Sequence, residues 1–153
     1  MTLSNGGYGL FVVNDSDDAR SRRRMLLSER SGDSSTLFVD VPAGSLHSSK
    51  IAKVLLEAMG KEIVLEGGGT SAAFEWSCAR AWVEGLGIKE IIFLRAHLLT
   101  PSCIDSIAEF AIATDISVTL VVVPQEAPAN HRFGMRSWPF TEVALNSLIG
   151  EMP

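Results

Sequence analysis

The sequence predicts an α/β fold: a three-layer, mostly parallel sheet with helices on both faces. Short apolar runs alternate with segments whose apolar residues recur at helical spacing, and this alternation is typical of α/β proteins. The run "SVTLVVVP" (117–124) is continuous and β-branched, as a central strand of such a sheet usually is. The length of 153 residues favours a single domain spanning 1–153.

Composition narrows the class of protein. Apolar residues make up 46% of the chain and the mean hydropathy is +0.22, so a sizeable core can form. The net charge of −5 argues against a dedicated nucleic-acid binder. Without an 18-residue apolar run or a signal-peptide pattern, we expect no membrane span and a cytoplasmic location. Cys78 and Cys103 lack metal-ligand spacing, so we expect buried, reduced thiols and no metal site.

The first half of the chain is predicted to contain three strands and two helices. Pro42 stops the second strand, because proline cannot donate a hydrogen bond to the ladder. The next helix has apolar residues at the spacing of one buried face, and Gly60 ends it. In order, the elements are strand 8–13, helix 14–30, strand 36–42, helix 48–60 and strand 62–66.

The second half is predicted to continue the alternation. Thr100 as N-cap and Pro101 at the first helical position mark one helix start clearly. Trp76 and Trp82 lie six residues apart on the helix before it, and we expect both in the core. In order, the elements are helix 70–87, a strand within 89–99, helix 100–115, strand 117–124, loop 125–139 and a final helix over 140–153.

The stretch "GSLHSSKI" (44–51) lies between a strand and a helix, as a phosphate-binding loop does. Against the pattern G-x-x-x-x-G-K-[ST], the glycine and the lysine are in register, but a serine replaces the second glycine. Ile51 stands where a hydroxyl would bind magnesium. A vestigial phosphate site at a helix N-terminus would consist of Gly44, Ser48, Ser49 and Lys50. The alternative is an ordinary strand-to-helix turn with a surface lysine.

The stretch "IIFLRAHLL" (91–99) is similar to the strand motif hhhDEAHxL, in which the Asp holds magnesium and the Glu activates water. Leu94 stands in the place of the Asp, and Arg95 in the place of the Glu. Because both acids are replaced, we expect no catalytic residues here and no ATP hydrolysis. His97 matches the motif, but a single histidine at a strand end is more often structural or exposed.

The order of these features resembles the core of AAA-type P-loop ATPases, especially the small ATPase regulators of DNA transposition and related mobile-element proteins. The resemblance covers about 36–124, from the first of these strands through "TPSCIDSIAEFA" to "SVTLVVVP". It implies a P-loop NTPase-like fold and assembly with partners. The family couples ATP hydrolysis to assembly on DNA, which requires the acids that this chain lacks. Residues 125–153 would form a C-terminal loop and helix, too short for the family's lid domain.

Two further segments are predicted to bind a partner. The arginines of "ARSRRR" (19–24) can contact an acidic protein surface or DNA phosphates, or form a solvated helix face balanced by the preceding aspartates. The segment "NHRFGMRSWPF" (130–140) mixes arginines with aromatic residues, as interfaces do, or is a tail folded back on the sheet. The predicted contact residues are Arg20, Arg22, Arg23, Arg24, Arg132, Phe133, Arg136 and Trp138.

These features predict a non-hydrolysing, P-loop-like adaptor or regulatory subunit that binds another protein, such as a larger ATPase or a DNA-transaction assembly. It would need no cofactor and could form a homo-oligomer. It would contact DNA only indirectly or through the arginines at 20–24. One alternative is a switch that holds ATP or another phosphate ligand at Lys50 without cutting it. Another is an enzyme of a different class on the same scaffold, with His97 or His131 in its site.

Overall fold

A computed structural model of the chain describes residues 9–14, 35–42, 48–61, 72–122 and 138–143. They form an α/β fold, which confirms the predicted class. The strands are β1 (Gly9–Asn14), β2 (Thr36–Asp40), β3 (Glu90–Leu94), β4 (Ser117–Val122) and β5 (Thr141–Val143). The helices are α1 (Ser48–Ala58), α2 (Ala72–Leu86) and α3 (Pro101–Thr114), and Ala96–Leu98 form a turn of 3-10 helix.

All five strands are parallel, in the order β2-β3-β4-β1-β5. β4 is central and buried along its whole length, as its β-branched sequence predicts. The connection that leaves β1 crosses to the far edge to reach β2, whereas the connections from β2, β3 and β4 all step the other way. The carboxyl ends of β1 and β4 therefore form the topological switch point, where open α/β sheets usually bind their ligands.

The three helices cover one face of the sheet. Strand residues such as Val39, Phe93 and Leu120 form the main core together with residues from each helix. A second cluster on the opposite face consists of Val13, Ile92, Leu94 and Val121. The described helices contribute to the main core and not to this second cluster. The prediction of helices on both faces is thus confirmed for one face only.

Helix α2 packs on α1 and α3 more closely than on the sheet. Its buried side chains form one narrow stripe, Glu75, Ala79 and Val83. Because this stripe is narrow, much of the helix surface is exposed. The prediction that Trp82 lies in the core is therefore wrong: its side chain is 40% exposed, and the Lys61 Nζ lies 4.0 Å from the centre of its ring.

Each of the three helices is followed by a residue with left-handed backbone. The backbone N–H of that residue donates a hydrogen bond to a carbonyl of the last turn. Gly60, the predicted end of α1, has φ 75°. The next residue, Lys61, donates a backbone hydrogen bond of 2.8 Å to the Leu56 carbonyl. Gly87 ends α2 with φ 72°. Asp115 ends α3 with φ 57°, a conformation that residues other than glycine rarely adopt.

The predicted start of α3 is confirmed, because Thr100 Oγ1 accepts a hydrogen bond of 3.3 Å from the Cys103 N–H. The predicted final helix over 140–153 is wrong at its beginning, where Thr141–Val143 form β5 and pair with β1. The rest of that segment lies outside the described residues. The predicted strand 62–66 also lies outside the described residues, as does the predicted helix 14–30 apart from Asn14.

Candidate functional site

The two nucleotide-type motifs of the sequence follow or include strands that end side by side at one edge of the sheet. β2 precedes the loop 44–51, and β3 carries the DEAH-like stretch. Asp40 and Leu94, which end these strands, are register partners, and the Val41 N–H donates a bond of 3.0 Å to the Leu94 carbonyl. The structure thus brings the end of the strand that precedes the loop and the end of the DEAH-like strand together.

The end of β3 has no acid for magnesium chemistry. Leu94 is 3% exposed and packs in the second apolar cluster. Arg95 follows in the left-handed conformation, with φ 59°, and turns the chain into the 3-10 helix. Of the residues that end the five described strands, Asp40 alone carries a carboxylate: Asn14, Asp40, Leu94, Val122 and Val143. No group of residues in the described ranges has the composition of a metal site.

Lys50 lies in the first turn of α1 and is exposed. This helix begins beside the carboxyl end of β2, at the edge of the described sheet and away from the switch point between β4 and β1. That position supports the interpretation of the loop as an ordinary turn. Gly44 lies outside the described residues, and Ser48 and Ser49 are described only as backbone of α1.

The histidines are divided between the core and the segments outside the described residues. His97, in the 3-10 helix, is buried. Its burial fits the structural alternative better than a role at an open catalytic site. His131 lies outside the described residues.

The two arginine-bearing segments follow strands that are neighbours. β1 ends at Asn14, and β4 ends at Val122, its register partner. The segment with Arg20, Arg22, Arg23 and Arg24 follows the first, and the segment with Arg132, Phe133 and Arg136 follows the second. These seven residues lie outside the described ranges. Because parallel strands end at the same edge, the strands that precede the two segments both end at the switch point.

Trp138 contacts the chain's own helix α3. Its indole N–H donates a hydrogen bond of 2.8 Å to Asp105 Oδ1, and its ring packs against the main core. The side chain is only half-buried. This contact supports the alternative that the end of the segment 130–140 folds back on the domain.

A groove between α2 and α3 was not predicted. Trp76 and Phe110 line it, with ring centres 5.1 Å apart. Arg80 on α2 and Glu109 on α3 also line it, and its volume is about 300 Å³. The spacing of residues on one helix could not have predicted the groove, because residues of two helices line it. The sequence does not show that these two helices are neighbours.

The remaining chemistry of the described residues is modest. Both cysteines are free thiols, as predicted, but only Cys103 is buried as expected, whereas Cys78 is half-buried. Among the described helices, none has the length and apolar character to cross a membrane.

Comparison with protein-family models gave no match, and comparison with curated protein sequences also gave none. The resemblance to AAA-type ATPases therefore rests on the motifs alone.

Proposed function

We propose that this chain is a P-loop-like protein that does not hydrolyse nucleotide and acts in the cytoplasm as an adaptor or regulatory subunit for another protein. The observation that carries the proposal is Leu94. Hydrolysis needs an acid on magnesium and an acid that activates water. An apolar side chain that is 3% exposed stands at the first position, and the left-handed Arg95 stands at the second.

The partner-binding surface in this proposal lies at the switch point between β1 and β4. The arginines at 20–24 and those at 132 and 136 follow these adjacent strand ends. Two basic segments whose preceding strands end side by side favour an acidic protein surface, such as that of a larger ATPase or a DNA-transaction assembly. Trp138 would anchor the second segment to α3 through Asp105 rather than contact the partner itself.

Affinity capture with the tagged full chain tests this proposal. The bait set comprises the wild type, Arg22→Ser with Arg23→Ser, Arg132→Ser with Arg136→Ser, and Lys50→Ala as a control that also removes a positive charge. We expect a protein that is captured by the wild type and by Lys50→Ala but lost with either arginine pair. Capture that survives both arginine pairs, or that does not exceed a tag-only bait, would contradict the proposal.

One observation favours a second candidate, the nucleotide-binding switch. Lys50 is exposed in the first turn of α1, at the carboxyl edge of the sheet, where a helix N-terminus favours anions. A ligand that binds only the native state raises the unfolding temperature by mass action. Under this candidate, ATP, ADP or GTP raises the midpoint without magnesium, and Lys50→Ala removes the shift. The adaptor proposal expects no shift.

A further inference from the structure

The groove between α2 and α3 is lined by two aromatic side chains that lie close together. Trp76 is half-buried and Phe110 is 7% exposed, and their ring centres are 5.1 Å apart with the ring planes tilted by 48°. The face of an aromatic ring carries partial negative charge, so it attracts a cation that lies within about 6 Å of the ring centre. The two rings are close enough for one cationic group to contact both of them.

The charges beside these rings do not balance. Arg80 lines the groove, but its Nε donates a hydrogen bond of 3.0 Å to Glu84 Oε1, so its charge is offset within α2. Glu109 lines the groove from α3, and no ion pair among the described residues involves it. The carboxylate of Glu109 is therefore the uncompensated charge of the groove, and it favours a positively charged ligand.

Helix α3 adds further negative potential on its side of the groove. It contains two acids, Asp105 and Glu109, and no basic residue. Ala113, in its last turn, also lines the groove, and the carbonyl end of a helix carries partial negative charge. Asp115 follows that turn and places a formal negative charge at the same end. The whole chain has a net charge of −5, which also attracts cations.

We propose that this groove binds a small organic cation with apolar surface, such as a quaternary ammonium compound. The Glu109 carboxylate supplies the opposite charge, and the rings of Trp76 and Phe110 supply cation–π contacts and apolar area. The groove volume of about 300 Å³ is at the lower end for small-molecule sites, so the ligand is small. The inference does not depend on the proposed adaptor function, because these residues lie outside the two arginine-bearing segments.

Titration of the full chain with choline, followed by NMR at constant ionic strength, tests the site. The neutral analogue of choline, in which carbon replaces the ammonium nitrogen, is titrated in parallel. The indole N–H signal of Trp76 reports on the groove. Trp82 is the control, because its exposed ring lies outside the groove and already has the Lys61 Nζ 4.0 Å from its centre. We expect choline to shift the Trp76 signal saturably but not the Trp82 signal, and the neutral analogue to bind at least about threefold more weakly.

Two matched variants test the role of the carboxylate. Glu109→Gln removes the charge in the groove with little change in size, and Glu57→Gln makes the same change at an exposed position of α1. We expect Glu109→Gln to weaken choline binding at least about threefold and Glu57→Gln to leave it unchanged. Arg80→Gln should strengthen binding, because it removes the positive charge that lines the groove. Absence of a saturable shift, equal binding of the neutral analogue, equal effects of the two glutamate variants, or weaker binding in Arg80→Gln would overturn the proposal.

Discussion

Asp40 and Leu94 are register partners at the carboxyl ends of β2 and β3, and their side chains lie on the same face of the sheet. Asp40 is exposed, whereas Leu94 is 3% exposed. This edge therefore presents one acid beside an apolar side chain, where magnesium-dependent hydrolysis needs two acids.

The first prediction concerns the apolar member of this pair. Leu94→Asp should lower the free energy of unfolding by on the order of 3 kcal/mol, because it buries a charge beside Asp40. Urea denaturation measures the loss. Leu94→Asn has a similar volume without the charge and should cost less. Adding Asp40→Asn to Leu94→Asp should recover part of the loss. Equal stability of the wild type and Leu94→Asp would show that this edge accepts an acid after all.

The second prediction concerns the contact between α1 and α2. Lys53 Nζ lies 3.6 Å from Oε1 of Glu75, and the two side chains are 60% and 1% exposed. Lys53→Ala should destabilise the protein by about 1 kcal/mol, because the buried carboxylate loses its cation. The effect is no larger because Lys53 is exposed and solvent screens the ion pair. Lys50→Ala, on the same helix and also exposed, is the control and should be close to neutral. Equal effects of the two changes in urea denaturation would contradict the assignment.

The third prediction concerns the Trp138–Asp105 hydrogen bond. Trp138→Phe keeps an aromatic ring and removes the donor, so it should cost about 1 kcal/mol of unfolding free energy. Asp105→Ala should cost a similar amount, and the double variant should cost less than the sum of the two. Strict additivity in this cycle would mean that the bond contributes no stability.

The fourth prediction concerns the end of α3. Asp115 has φ 57°, a conformation that glycine adopts without steric cost, and a negative charge at a helix C-terminus is unfavourable. Asp115→Gly should therefore raise the free energy of unfolding by about 0.5–1 kcal/mol. Gly87→Ala is the opposite change at the end of α2, where φ is 72°, and it should destabilise. A loss of stability in Asp115→Gly would point to a role of its carboxylate that the backbone does not explain.

Local signals predicted much of the fold. The proline and N-cap at 100–101 fixed the start of α3, the glycines at 60 and 87 marked the ends of α1 and α2, and β-branched residues identified β4. Long-range pairing was not accessible from local signals. The three residues of β5 form a strand because β1 pairs with them, whereas their own sequence also fits a helix.

The candidate site was predictable in its motifs but not in its arrangement. The loss of both acids at Leu94 and Arg95 is visible in the sequence. The strand order is not visible there, and it places β2, the strand before the loop 44–51, at the edge of the described sheet rather than at the switch point. The exposure of Trp82 could not be predicted either, because it follows from the position of α2 outside α1 and α3.

Phosphate release from ATP in the presence of magnesium tests the central claim most directly. The purified wild type and Lys50→Ala would be assayed side by side, because a contaminating ATPase would contribute equally to both. With an apolar residue and a left-handed arginine at the end of β3, we expect no release above the buffer blank from either protein. Release by the wild type that Lys50→Ala abolishes would contradict the claim and show a working nucleotide site.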